Sequence, residues 1–227
     1  MKVKLLAYTP NPLNIIQTAC KTCYSSDSPI DLMTLAAVDK NLINQVFKSG
    51  HLSTFEHINF TFAIEEISRA CANQLVRHRH CSFSQQSQRY VKFTNPIFYE
   101  PDAILKNREA DAIYNDFLDV AKETYQKLIA LGIKAEDARC VLPNSTCSNI
   151  TLTLNLRELI HICSLRLCSR SQKEIRTLVQ EMVNEVVKVE PWLKTYLVPQ
   201  CEKDGFCKEH KSCGRKKKLE EINENEN

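Results

Sequence analysis

Glycine is scarce in this chain: four residues in 227, at Gly50, Gly132, Gly205 and Gly214. They lie too far apart for a G-x-G-x-x-G turn or a P-loop, so any nucleotide bound here has to be held by side chains and helix ends. Long apolar runs are missing as well. No window approaches the roughly 18–20 apolar residues that a membrane-spanning helix needs. The apolar stretch that opens at Met1 is cut by Pro10, Asn11, Pro12 and Asn14 before the hydrophobic region of an export signal forms. Charge of one sign is not in excess either, since 30 Lys and Arg against 27 Asp and Glu leave a net +3. That balance argues against a polycationic nucleic-acid coat or a membrane-surface protein.

Cysteine is abundant instead, with eleven residues spread through the chain. A short secreted chain would read as a disulfide scaffold; a scattered set in a chain of this length, without an export signal, indicates reduced thiols and a cytoplasmic location. Cys71 and Cys163, inside helical apolar patterns, read as small core hydrophobes.

Periodicity orders the chain into alternating short strands and helices. Residues 1–8 and 149–154 read as strands, and 57–65 alternates Ile58, Phe60, Phe62 and Ile64 against Asn59, Thr61 and Glu65. Helical spacing marks 32–47 (Leu35, Leu42, Ile43, Val46), ended by Gly50, and 66–77 (Ile67, Ala70, Cys71, Leu75). It also marks a long amphipathic helix at 109–131, with Ile113, Phe117, Val120, Ala121 and Leu128 as its apolar face and Gly132 as its stop. A short helix follows at 135–141, then helices at 156–168 and 172–189, the last with Ile175, Leu178, Val179, Met182, Val183 and Val186 in phase. The pattern predicts an α+β fold (mixed α/β), with helices packed on a small, mostly antiparallel sheet. One catalytic domain is expected over 1–200. Residues 201–227 form a Cys- and His-containing tail, basic and then acidic, with its final dozen residues disordered.

The densest chemistry lies between Gln74 and Tyr90, where Arg77, His78, Arg79, Gln85, Gln86, Ser87, Gln88 and Arg89 crowd together. Arginine's planar fork matches phosphate oxygens with paired hydrogen bonds, and serine and glutamine add neutral donors. Two readings of the residues compete: a pocket for a phosphorylated small molecule, and a nucleic-acid-binding module that uses the Arg77–Arg89 cluster. Few aromatics and a small net charge weaken the second. A third, a thiol-based redox or metal sensor, rests on the cysteines. Ser87 beside the basic cluster could be a nucleophile, but hydrogen bonding suits it better, since no base–orienter pair can be read. His51, Glu56 and His57 have a spacing that fits no recognised metal-ligand pattern. On burial tendencies alone, His161 between Ile160 and Ile162 would be a core histidine.

Arg77-His78-Arg79, seven further residues and Ser87, followed by Gln88-Arg89-Tyr90, resembles the signature of flavin-dependent thymidylate synthases. Further elements are similar in order and spacing: Gly50-His51-Leu52-Ser53-Thr54-Phe55-Glu56-His57, Asp137-Ala138-Arg139 with Val141-Leu142-Pro143, and Asn155-Leu156-Arg157 with His161 and Arg166. The resemblance covers about residues 1–200. It implies conversion of dUMP to dTMP, with methylenetetrahydrofolate as one-carbon donor and NADPH as reductant through bound FAD, and without a cysteine nucleophile. It also implies a homotetramer whose active sites are shared between subunits, with neither nucleic acid nor membrane as partner. Carried over by position, Ser53, Arg77, His78, Arg79, Gln85, Asn155, Arg157 and His161 would contact FAD. Gln74, Arg77, Gln85, Gln86, Ser87, Gln88, Arg89 and, from a neighbouring subunit, Arg139 would hold dUMP. Arg166 would be both substrate-binding and catalytic, its fixed charge stabilising negative charge on the pyrimidine. Helix phase puts Arg157 and His161 on one face and turns Arg166 away from them.

The tail offers Cys201, Cys207, His210 and Cys213, the four ligands that tetrahedral zinc requires, at a spacing unlike the usual paired pattern.

Overall fold

The computed structural model describes residues 1–35 and 37–223. Its strands are β1 (Lys2–Tyr8), β2 (Asn59–Ser68), β3 (Cys81–Gln85) and β4 (Cys147–Asn155). They form one small open antiparallel sheet in the order β1-β2-β4-β3. In chain order the helices are α1 (Pro12–Thr22), α2 (Pro29–Leu35), α3 (Lys40–Lys48), α4 (Arg69–Leu75), α5 (Asp102–Leu105), α6 (Arg108–Ala130), α7 (Ala135–Ala138), α8 (Leu156–Arg166), α9 (Lys173–Val189), α10 (Gln200–Asp204) and α11 (Leu219–Asn223). This is the mixed α/β class that the sequence predicts. Alternation places Phe60, Phe62 and Ile64 of β2, and Ile150, Leu152 and Leu154 of β4, in the core. The hydroxyls of Thr61 and Thr153 meet at 3.0 Å.

Contacts divide the described chain into two compact units, to both of which every strand contributes residues. The first comprises residues 1–3, 63–79 and 83–152. Here β2 runs on through Ser68, where helical spacing suggested a helix from residue 66. Glu66 takes a left-handed conformation (φ 59°) and shifts the alternation by one, so that Ile67 is buried in its place. The Asn149 side chain accepts the Glu66 N–H at 3.1 Å. Ser68 then caps α4 by accepting the Cys71 N–H. On α6 the buried residues are Leu118, Ala121 and Tyr125, and the Tyr125 hydroxyl accepts the Phe93 N–H at 3.1 Å. Leu128 and Ile129 pack partly buried against the same cluster of Phe93, Tyr125 and Ala138. Ile113, Phe117 and Val120, which the sequence assigns to the buried face, are instead 65%, 52% and 62% exposed. The helix carries two apolar stripes, and periodicity alone does not say which one faces this core.

The second unit comprises residues 4–62, 80–82 and 153–227. It opens with α1, which the sequence reading missed because it took Asn11 and Pro12 only as an interruption. Proline at the first helical position is preorganised for a helix, and Asn11 in the left-handed region leads into it. The single helix expected over 32–47 is broken into α2 and α3. Buried Gln17 accounts for the break: its amide donates to the Ala37 carbonyl at 3.2 Å and accepts the Asp39 N–H at 2.6 Å. Asp39 then restarts the chain as α3 by capping the N–H groups of Asn41 and Leu42. Ala36 and the Leu35 side chain lie outside the described residues. On α9 all six in-phase residues are buried, and Cys163 of α8 is fully enclosed. Of the final dozen residues, expected to be disordered, 219–223 form α11, and 224–227 lie outside the described residues.

Candidate functional site

Of the Arg/Ser/Gln segment, the first unit holds the end of α4, the turn as far as Arg79, β3 from Phe83 onward and the loop after it. The turn exposes Arg77 and Arg79 and buries His78, while Gln74 is half-buried on the last turn of α4. β3, absent from the sequence reading, ends at Gln85, whose amide donates to the Ser148 hydroxyl at 2.9 Å. The Gln86 N–H bonds the Asn149 carbonyl, continuing the β4 pairing by one residue. The Ser87 hydroxyl accepts the Arg89 N–H at 3.2 Å, and its carbonyl accepts from Tyr90 and Val91. Ser87 therefore shapes a tight turn, which suits a hydrogen-bonding role. Arg89 donates through Nε and Nη2 to one oxygen of Glu136. Arg139 donates through Nε to the Glu136 carbonyl at 3.0 Å. Thus Arg89 and Arg139, 50 positions apart, converge on one residue that sequence reasoning passed over. Gln88 is buried at 6% exposure with its Nε2 lacking a hydrogen-bond partner among the described residues. A buried amide donor without an acceptor costs free energy, so it marks a place where a ligand oxygen would be welcome.

In the second unit, Asn155, Arg157 and His161 line one cavity of about 600 Å³ with Glu56, His80 and Glu158. They come together because Asn155 caps α8 through the Glu158 N–H at 2.9 Å, while Arg157 and His161 follow one turn apart. His161 is exposed and faces this cavity, so it is not a core histidine. Arg157 pairs with Glu56 at 2.5 Å. Burial pushes the Glu158 carboxyl above its usual range, and the positive charge of His161, His80 and Arg157 opposes the shift. Burial also raises the Cys81 thiol to about 12, with the Glu158 charge adding to the effect, so this cysteine stays protonated. Ser53 does not join this cavity; it lines a separate, largely apolar one of about 740 Å³ with His57 and residues of α1 and α2. Arg166, half-buried in the last turn of α8, is not among the residues lining the 600 Å³ cavity, as helix phase predicts. Gln200 and Lys203 of α10 do line it, so the chain beyond Pro199 reaches this cavity. Among the described residues His51, Glu56 and His57 form no metal-ligating group.

A profile of the family described as thymidylate synthase complementing protein matches residues 4–192. The chain is 39% identical to a flavin-dependent thymidylate synthase of Clostridium tetani, over 98% of this chain and 96% of that one. The chain belongs to the flavin-dependent thymidylate synthase family. Another member, from Nitratidesulfovibrio vulgaris, is 38% identical over 94% of each chain. Among solved structures it is similar to a UMP/dUMP methylase, PolB of Streptomyces cacaoi, bound with 5-Br dUMP. That match has a TM-score of 0.76 at 27% identity, over 87% of this chain and 96% of that one. It is also similar to thymidylate synthase X of Helicobacter pylori with FAD and dUMP, with a TM-score of 0.69 at 25% identity over 89% and 100%. The family profile stops at residue 192, but the Clostridium tetani alignment leaves out only about five residues of 227, so most of 201–227 lies within it.

For a flavin-dependent thymidylate synthase, three residues at these two places escaped assignment from sequence: Glu136, Glu158 and His80. Glu158 had one available signal, its place three residues after a capping asparagine. His80 had its place inside the Gln74–Tyr90 segment, and Glu136 had none, because only tertiary folding brings it to its partners.

Proposed function

We propose that the protein methylates dUMP to dTMP, with methylenetetrahydrofolate as one-carbon donor and NADPH as reductant. Buried Gln88, with its unpaired amide donor inside the segment that carries the family signature, is the observation that supports this most. In this reading Gln74, Gln85, Gln86, Ser87, Gln88 and Arg89 hold dUMP, and Arg77 lies between the two ligands. Arg139 of a neighbouring subunit completes the nucleotide site. Ser53, Arg77, His78, Arg79, Gln85, Asn155, Arg157 and His161 hold FAD. The donor set fits such a group: the two exposed guanidiniums of Arg77 and Arg79 in one turn suit a pyrophosphate, and Arg157 with His161 offer hydrogen bonds to the polar edge of a ring system. Bound FAD would carry the reducing equivalents from NADPH to the substrate.

The chain's own task is placement and charge. The Arg166 guanidinium stabilises negative charge on the pyrimidine as the imide proton leaves, which makes the ring a better carbon nucleophile. No cysteine is needed for attack, and the partly buried, protonated Cys81 is unsuited to it. We place the catalytic machinery within 1–200, in a cytoplasmic homotetramer, and the exposed Ile113, Phe117 and Val120 stripe on α6 supports the association. Among the described residues no helix is long and apolar enough to cross a membrane.

The deciding measurement is the absorption spectrum of the pure protein, with dUMP and UMP assayed in parallel. Flavin absorption that NADPH bleaches, followed by methylation of dUMP, is the expected result. A colourless protein indifferent to dUMP, or one whose DNA affinity falls steeply with salt, overturns the reading. Arg79→Ala is expected to lose FAD. Arg166→Ala is expected to keep FAD and lose methyl transfer, and near-normal turnover would show that another residue carries the charge.

A further inference from the structure

Residues 200–222 fold without a hydrophobic core, because Cys207 is the only buried residue among them. A short segment of this kind needs a cross-link or a metal to stay ordered. The segment nevertheless has a defined course. The Cys207 N–H bonds the Lys217 carbonyl at 2.8 Å, Cys207 bridges Lys218, and the Ser212 hydroxyl donates to the Lys216 carbonyl at 2.6 Å. Two of the chain's four glycines make its turns in the left-handed region: Gly205 between Cys201 and Cys207, and Gly214 directly after Cys213. The Arg215 guanidinium ties the turn back to the end of α8 by donating to the Leu167 carbonyl at 3.3 Å.

This course brings four thiols around one cavity of about 200 Å³: Cys168, just past α8, with Cys201, Cys207 and Cys213. Cys168 and Cys207 lie close enough to Cys201 to act on its charge, and Cys213 is hydrogen-bonded to Ser169, the neighbour of Cys168. No three of the four sulfurs lie within 4.8 Å of one another, so a bound ion would draw them inward. All four carry free thiols. His210, the fourth ligand suggested by the tail's sequence, is exposed and does not line this cavity. The lining is net cationic: Arg170, Lys208 and Arg215 pair with Glu209, Asp204 and Glu202, and Lys211 and Lys216 add positive charge beyond these pairs. A divalent ion held by four thiolates carries a net charge of −2, and this surround compensates it.

We propose that Cys168, Cys201, Cys207 and Cys213 form a structural zinc site that fastens the tail to the end of α8. Four thiolate sulfurs in a tetrahedron select zinc among abundant divalent ions. Binding converts four thiols and one Zn²⁺ into a tetrathiolate complex and releases four protons to solvent, with no change of oxidation state. Cys201 sits between Gln200 and Lys203, so the metal also fixes α10 where those two residues line the larger cavity.

The test measures metal in the full chain purified under reductant and freed of loose ions. Wild type and His210→Ala are each expected to carry about one zinc per chain, with Cys168→Ser and Cys207→Ser at less than about a fifth of that. Cobalt(II) in the wild-type protein is expected to give the intense visible and thiolate charge-transfer bands of a tetrahedral four-sulfur site. This arm decides the ligand set even where a variant does not fold. Trace zinc in the wild type overturns the proposal. So does full zinc in Cys168→Ser combined with loss in His210→Ala, or a cobalt spectrum with mixed nitrogen and sulfur ligation. A count of nine thiols instead of eleven in unreduced, denatured protein overturns it in favour of a disulfide.

Discussion

Gln88, which we propose holds dUMP, is set apart from a packing residue by its unpaired amide. Its amide nitrogen is buried and unpaired, so the ligand-free protein bears a desolvation cost of about 1–3 kcal/mol at this position. Gln88→Met keeps the volume and removes the cost. Its ligand-free melting temperature is therefore expected to equal or exceed wild type, while dUMP affinity drops by roughly tenfold or more. Calorimetry with and without dUMP checks both halves, and a variant that melts lower yet binds normally refutes the argument. Glu158 poses a pH question. Its carboxyl is raised by burial, so the folded state holds its proton more tightly than the unfolded state does. A raised group stabilises the fold fully below the ordinary carboxylate range, and that contribution is lost as pH climbs through the folded-state pKa. Glu158→Gln lacks this loss. The melting-temperature difference, variant minus wild type, is expected to grow between about pH 4 and pH 8, and a gap that stays flat or shrinks would show that the paired cations outweigh burial.

At the scale of elements, β2 and β4 carry the central sheet through alternation that β2 shifts once, at Glu66. Phe62 is fully enclosed, so Phe62→Ala is expected to cost about 3–5 kcal/mol by denaturant titration, with the m-value unchanged. Asn149→Ala is expected to cost less, about 1–2 kcal/mol, because it orphans only the Glu66 N–H at the phase shift. The same two strands show what a sequence reveals. Where one face is buried and the other wet, alternation is written in residue type, and α8 and α9 are legible for the equivalent helical reason. β3 shows a fainter contrast: in its Cys-Ser-Phe-Ser-Gln run Ser82 and Ser84 are exposed, but Cys81, Phe83 and Gln85 are only partly buried. Five residues without a buried face are a weak signal for a strand. The break between α2 and α3 depends on Gln17, some twenty residues away, and a local pattern cannot register a distant hydrogen bond. The site divides along the same line. The Arg77–Arg89 segment stands out because its residues are consecutive, whereas Glu136 is recognised only through the partners that folding gives it.

At the scale of the whole molecule, α6 presents an apolar stripe of Ile113, Phe117 and Val120 that the single chain leaves half or more exposed. One helix turn separates successive members, so they form a continuous ridge of the kind that packs against another copy. Phe117→Glu sets a charge on that ridge without touching the buried stripe of Leu118, Ala121 and Tyr125. Light scattering is expected to show a smaller assembly with the melting profile of a folded chain, and an unchanged mass would place the interface elsewhere. Sharing of sites between subunits makes a stronger demand. If Arg139 reaches the nucleotide from one chain and Arg166 acts from another, Arg139→Ala and Arg166→Ala are each inactive alone. Co-expressed in equal amounts, they assemble mixed oligomers in which about a quarter of the sites receive both intact arginines, and that fraction of wild-type turnover should return. If both arginines served a site from one and the same chain, no mixture could rebuild an intact pair, and activity would stay absent at every ratio.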